Sequence, residues 1–194
     1  MPRVVDAEER RTEIASAALG VAREHGMAGV TFRSVATAMG ATSTTVVTHY
    51  ARNRSVLVGL MMKHLFHMAE EMADAFLPTL APAEGLQLLT EAVLPTSDES
   101  RMLASLVLDA TIEFGFAGEI GDELEGWGDW LRSHIRDLVD QVDHPAGMDV
   151  DAATDAIAAS LAGITLYGLV DSDNWSSERQ RRTLATLMAS LGLD

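Results

Sequence analysis

Ser43, Thr44, Thr45, Thr48 and His49 place five short side chains that donate and accept hydrogen bonds within seven consecutive positions. Groups of this kind can meet the edges of nucleic-acid bases, and a threonine methyl can touch a thymine methyl. Arg33 precedes the cluster, and Arg52 and Arg54 follow it. Three fixed positive charges beside such a row would neutralise phosphates. Thr42 and Tyr50 flank the row and complete the candidate contact set.

Such a row is useful only if something holds it outward. Apolar residues recur at helical spacing. Ile14, Ala18, Val21 and Ala22 form one face of a first helix, about Ala7 to His25, and Gly26 follows where a left-handed residue costs least. Thr31 caps a short second helix, Phe32 to Met39, with Val35, Ala36 and Met39 inward. Gly40 ends it, and Thr42 or Ser43 caps a third helix running to about Tyr50. Two short helices joined by a tight Gly-containing turn have the anatomy of a helix-turn-helix, with Val35 and Val46 packing between them. The start of the third helix would offer free N–H groups to a phosphate. Ser55 is expected to cap a long fourth helix that stops before Pro78. Five further helices follow, at about Ala83–Leu94, Asp98–Phe114, Ile120–Val142, Val150–Leu169 and Ser177–Leu191, the last with a Ser177-x-x-Gln180 capping pattern. No alternating run suggests a strand. The expectation is an all-α chain of about nine helices. A helix-turn-helix domain would occupy residues 1–55, and a helical ligand-binding and dimerisation domain residues 56–194.

Further residues point to a known family. The pattern Glu9-Arg10-Arg11-x-x-Ile14-x-x-Ala17-Ala18, then His25-Gly26-Met27-Ala28-Gly29-Val30-Thr31, Val35-Ala36-x-x-Met39-Gly40, His49-Tyr50 and Leu57 resembles the N-terminal domain of TetR-family regulators. The segment Ala162–Asp171 is similar, more loosely, to the penultimate helix of many members. The resemblance implies an all-helical homodimer, usually a repressor, that leaves its operator when a small ligand binds the C-terminal domain. It also adds Val47 to the DNA-contact set, where an aromatic residue often meets the backbone. Ala51 departs from the Phe or Pro common nearby. The lysine expected at the start of the fourth helix is missing. Its place falls on Asn53, or on Arg54 after a shift of one residue. Arg54 is the expected phosphate contact, because an amide cannot neutralise charge.

The C-terminal part offers Met68, Met72, Met102, Leu106, Asp109, Phe114, Trp127, Trp130 and Tyr167 as candidate lining for an effector site. Such pockets are mostly apolar, and methionine adapts its shape. For any one of these residues taken singly, core is the favoured reading. Glu113 lies four positions from Asp109, so acids facing aromatics would suit a cationic or hydrophobic ligand. Ala153, Ile157, Leu161 and Ile164, with Leu184, Leu187 and Met188 of the last helix, form stripes suited to a four-helix dimer interface or to intramolecular packing. His64 and His67 share a face without a third ligand, so no metal is expected.

Composition sets the limits. The 194 residues carry a net charge of −15, yet residues 1–60 hold seven arginines against five acids. The acidity therefore belongs to the rest of the chain, and the asymmetry suits a nucleic-acid-facing part joined to a different one. With no cysteine, disulfides and thiolate sites are excluded. Met1–Asp6 has no apolar stretch behind it and does not read as a secretion signal, and no long unbroken apolar run suggests a membrane span. A cytoplasmic protein is expected. No phosphate-cradling glycine loop or HExxH motif is present, and Gly115–Gly128 lacks lysine, so neither an enzyme nor a cofactor is expected. The alternative is a helical small-molecule-binding module with weakened or lost DNA binding.

Overall fold

A computed structural model describes residues 7–193; Met1–Asp6, the segment weighed above as a secretion signal, and Asp194 lie outside the described residues. Among the described residues there are nine α-helices, one 3-10 turn and no strand. The helices are α1 (Ala7–Gly29), α2 (Phe32–Ala38), α3 (Thr45–Thr48), α4 (Arg54–Phe76), α5 (Pro82–Val93), α6 (Asp98–Phe114), α7 (Gly118–Gln141), α8 (Val150–Val170) and α9 (Ser177–Leu191). Gly26, at φ 69°, kinks α1 where the first helix was expected to stop, and one more turn follows it.

Two helix starts differ from expectation. Asn53, not Ser55, caps α4: its Oδ1 accepts from Val56 N at 2.9 Å. Ser176, not Ser177, caps α9, accepting from Arg179 N at 3.3 Å. Ser177 Oγ instead donates to Thr96 O at 2.8 Å, and Gln180 is buried, donating to Trp175 O at 2.8 Å. The pattern Ser-Ser-x-x-Gln offers two adjacent caps, and tertiary partners choose between them.

The contacts divide the chain into two compact units. One contains residues up to Glu70 together with Leu106–Gly126; the other contains Glu71–Ser105 together with residues from Trp127 onward. The residues of α4, α6 and α7 are thus shared between the units, which follow contacts rather than chain order. In the first unit α1 packs on α2 and α2 on α3. Ile14, Ala18, Val30, Val35, Val47, Leu57 and Met61 are all buried there.

The second unit is built on a core of Leu86, Leu89, Leu94, Leu131, Ile135, Val139, Ile157, Leu161, Ile164 and Leu184. For most of the expected stripe the intramolecular alternative holds. Ala153, Ile157, Leu161, Ile164 and Leu184 are buried within a single chain, and Leu187 and Met188 pack partly buried against the same core. The remaining face of α8 is left exposed with Ala159, Ala162, Leu166 and Val170. By length and composition α8 could cross a membrane. Here its inward stripe belongs to the core, and it packs on α5 and α9. Gly168 permits a close approach: a Cβ there would lie 2.7 Å from Gln180 Nε2 and 2.8 Å from Pro95 Cγ. Arg101 Nη1 donates to the Gly168 carbonyl at 2.8 Å.

In the first unit, the Glu123 carboxyl is pushed above its ordinary 4.5 by burial. Asp122, Glu70 and Glu119 add to the shift and Lys63 opposes it. The folded state therefore holds the Glu123 proton more tightly than the unfolded chain, and stability is lost as pH rises through the folded pKa. Glu123→Gln is expected to raise the urea midpoint at neutral pH and to lose that advantage below pH 4.5. Equal midpoints at neutral pH would show that ionisation there costs nothing.

Candidate nucleic-acid interface

The interface begins at Thr31. Its Oγ1 accepts from Ser34 N at 3.1 Å, and Ser34 Oγ accepts from Thr31 N at 2.9 Å, a reciprocal capping box. Ser34 Oγ also donates to Gly29 O at 2.7 Å, tying the start of α2 to the end of α1. Val35 and Ala36 face inward. Gly40, at φ 70°, makes the turn, and Ala41 N reaches back to Ala36 O at 2.9 Å.

α3 is a helix of only four residues. Backbone bonds extend it by a loose turn, with His49 N to Thr45 O at 3.1 Å and Ala51 N to Val47 O at 3.0 Å. Val47 and Ala51, four apart, are both 0% exposed and hold this turn against the rest of the unit. The opposite side presents Thr44, Thr45, Thr48 and His49 to solvent, with Thr42 and Ser43 exposed just before it. Tyr50 is half-buried and meets the His49 ring edge-on at 4.9 Å. Arg33 and Arg52 are exposed; Arg52 keeps 82% of its side chain in solvent, 3.9 Å from Glu119. These residues form a row of hydrogen-bonding tips with two accessible guanidinium groups.

Three expectations are corrected. Val47 is core, so its side chain does not face outward to meet a DNA backbone. The start of α3 is no anion site, because the helix is a single turn and Ser43 Oγ takes the Thr45 amide at 3.2 Å. Arg54 turns inward. Its Nε donates to Val30 O at 2.8 Å, Nη2 to Met27 O at 2.6 Å, and Nη1 to the Glu113 carboxylate. Its Cζ stands 5.4 Å from the centre of the Phe114 ring.

The candidate effector residues are scattered. Trp127 and Trp130, both half-buried, stack at 5.1 Å and 15°. His134 extends the stack, its ring 4.1 Å from Trp130, with Nε2 3.5 Å from the Asp74 carboxylate. His134 and Asp74 were missed in the sequence, although the spacing of 127, 130 and 134 along one helix face contained the signal. Tyr167 is instead half-exposed and stacks on Trp175 at 4.9 Å, with Arg179 over the far ring. Met68 and Met72 are exposed, Met102 is half-buried, and Leu106 is core. Asp109 is exposed, and Phe114 is half-buried beneath Arg54.

Residues 82–192 match a family model described as the BetI-type transcriptional repressor, C-terminal. The chain is 26% identical to the HTH-type transcriptional regulator PksA of Bacillus subtilis over 98% of this chain and 94% of that protein. Among solved structures, a TetR transcription regulator from Haloarcula marismortui superposes with a TM-score of 0.79 at 18% identity, covering 95% of this chain and 98% of that one. A transcriptional regulator from Saccharomonospora viridis in complex with choline superposes with a TM-score of 0.79 at 20% identity, covering 94% and 96%.

Burial of Val47 makes a direct prediction. Val47→Tyr overfills a closed site and is expected to cost about 1–3 kcal/mol of stability in urea denaturation. An unchanged midpoint would show that this side chain can turn outward.

Proposed function

Because the chain belongs to the TetR family of transcriptional regulators, with a BetI-type C-terminal domain, we propose that it is a dimeric repressor that grips its operator through the exposed row on α3 and is released by a small cationic or hydrophobic ligand. The observation that carries this reading is the outward row Thr42, Ser43, Thr44, Thr45, Thr48 and His49, held by the inward pair Val47 and Ala51. The short hydroxyls and His49 would read base edges, and Arg33 and Arg52 would neutralise phosphates. Such contact takes place where duplex DNA is, in the cytoplasm. Val47 and Ala51 are the two places where the recognition segment departs from the family pattern. Both lie in the core, so neither bears on the outward face.

A single-turn recognition helix reads few bases, and pairing across a two-fold axis doubles the site. The half-sites would lie about one helical turn apart, on the order of 34–36 Å. With the inner stripe of α8 already in the core, the dimer would use the outer one: Ala159, Ala162, Leu166 (48% exposed) and Val170 (64% exposed). Ala185 and Ala189 are exposed on α9 and would join it. Small residues of this kind let a second copy approach closely.

For the effector, the Trp127–Trp130–His134 stack beside Asp74 offers aromatic faces and a carboxylate, a combination that attracts cations. The choline held by the Saccharomonospora viridis neighbour supports this ligand class. Differential binding to two states would release the DNA.

Two experiments test the proposal. Gel shift of the DNA upstream of the protein's own gene should show a complex, and Leu166→Glu should yield monomers whose operator affinity falls on the order of 100-fold through lost avidity. No shift at low salt would remove DNA binding from the proposal, and a dimeric Leu166→Glu protein would remove the outer stripe. Titration with choline is expected to quench tryptophan fluorescence in the wild type but not in Trp130→Ala. Equal quenching in both would place any cation elsewhere.

A further inference from the structure

Arg54 stands at the first residue of α4, where the resemblance led us to expect a phosphate contact, yet its guanidinium faces the protein. Each of its nitrogens has a partner on a different piece of the first unit. Val30 O belongs to the two-residue link between α1 and α2, and Met27 O to the last turn of α1 after the Gly26 kink. Glu113 and Phe114 are the last two residues of α6. A guanidinium suits this role because it is planar, permanently charged, and donates in several fixed directions at once. Its side chain is only 27% exposed, so its two carbonyl bonds are partly shielded from water, while the Glu113 carboxylate that pairs with it stays accessible.

A second contact joins α4 to the start of α7. Past the end of α6 the chain turns through Gly115 (φ 79°) and Gly118 (φ 66°) into α7. Glu119, in the first turn of α7, then lies against α4. A Cβ added at Gly59 would lie 3.1 Å from Glu119 Cβ, so the absence of a side chain at Gly59 is what permits this approach. The Glu119 carboxylate lies 3.9 Å from Arg52. The corner between α6 and α7 thus touches α4 at Arg54 and Gly59, and through Arg54 it reaches the two carbonyls that lead into the helix-turn-helix.

We propose that Arg54 is a positioning residue rather than a phosphate contact: it clasps the last turn of α6, through Glu113 and Phe114, to the Met27 and Val30 carbonyls. The inference rests on the DNA-binding reading above. Arg33 and Arg52 would carry the phosphate contacts. The Glu113 carboxylate is the replaceable link. Without it Arg54 keeps both carbonyls, and the head stays folded but is no longer held to α6.

The full-length Arg54→Gln, Glu113→Gln and Arg33→Ala proteins distinguish the possibilities. Binding to a short random-sequence duplex is measured against salt, since the slope of log affinity counts neutralised phosphates at about 0.9 per contact. Arg33→Ala is expected to lower the slope by about one unit, whereas Arg54→Gln weakens binding with the slope unchanged. A slope lower by about one unit for Arg54→Gln would make it a phosphate contact and overturn the clasp. The second measurement is amide hydrogen exchange without DNA. In Glu113→Gln the amides of Val30 and Leu57 are expected to exchange about tenfold faster or more, the effect of losing one charge-assisted hydrogen bond. The α8 and α9 amides should be unchanged. Unchanged exchange at Val30 and Leu57 would also overturn the clasp. If the wild type binds no duplex, the DNA-binding reading fails, and exchange alone decides whether Glu113 holds the head.

Discussion

A helix of one turn cannot hold itself together. Nucleating a turn fixes several backbone angles for one hydrogen bond, so a segment such as Thr45–Thr48 has no stability of its own. What fixes it is the burial of Val47 and Ala51, four residues apart on one side. Everything proposed for the outward side follows from that anchoring. Thr44, Thr45, Thr48 and His49 share an exposed face because their neighbours are committed to the interior. The anchoring in turn needs α2 in place, and the reciprocal Thr31–Ser34 cap with the Ser34–Gly29 bond provides that. A chain of short-range polar contacts and two small apolar side chains thus supports the whole face.

The same economy explains Arg54. In an acidic protein with few cations, an arginine near a polar row reads naturally as a ligand for phosphate. Charge alone does not decide where a side chain points. Two carbonyls at the end of α1, a carboxylate and an aromatic ring at the end of α6 lie within its reach. Turned outward, it would leave the Met27 and Val30 carbonyls without these donors in a partly buried place, which is costly. The inward orientation joins the end of α1 and the link after it to the end of α6. It leaves Arg33 and Arg52 as the exposed guanidinium groups beside the polar row.

α8 shows a related ambiguity in apolar form. Its residues are so uniformly small or apolar that two stripes compete for the core. One, Ala153–Ile157–Leu161–Ile164, is buried against α5, α7 and α9 in the second unit. The other, with Ala159, Ala162, Leu166 and Val170, remains exposed. The larger β-branched and leucine side chains fill the interior, where volume is needed. Outside, Ala159 and Ala162 stand beside the exposed Leu166 and Val170.

The sequence by itself determined which segments are helical, because hydrophobic spacing, prolines and caps are local. α6 and α9 begin and end where the spacing placed them, α2 ends one residue early, and α5 is shifted by one residue at both ends. It also determined that Thr42 to His49 forms a polar row beside a tight turn, and the family pattern was legible from residues 9 to 60. Tertiary structure decided direction: that Val47 faces in, that Arg54 bridges carbonyls to Glu113, that Ser176 rather than Ser177 caps α9, and that one α8 stripe rather than the other forms the core. The reason is physical. Helical periodicity states which residues share a face, but a face turns inward only when another element offers it a partner, and those partners lie tens of residues away in the chain.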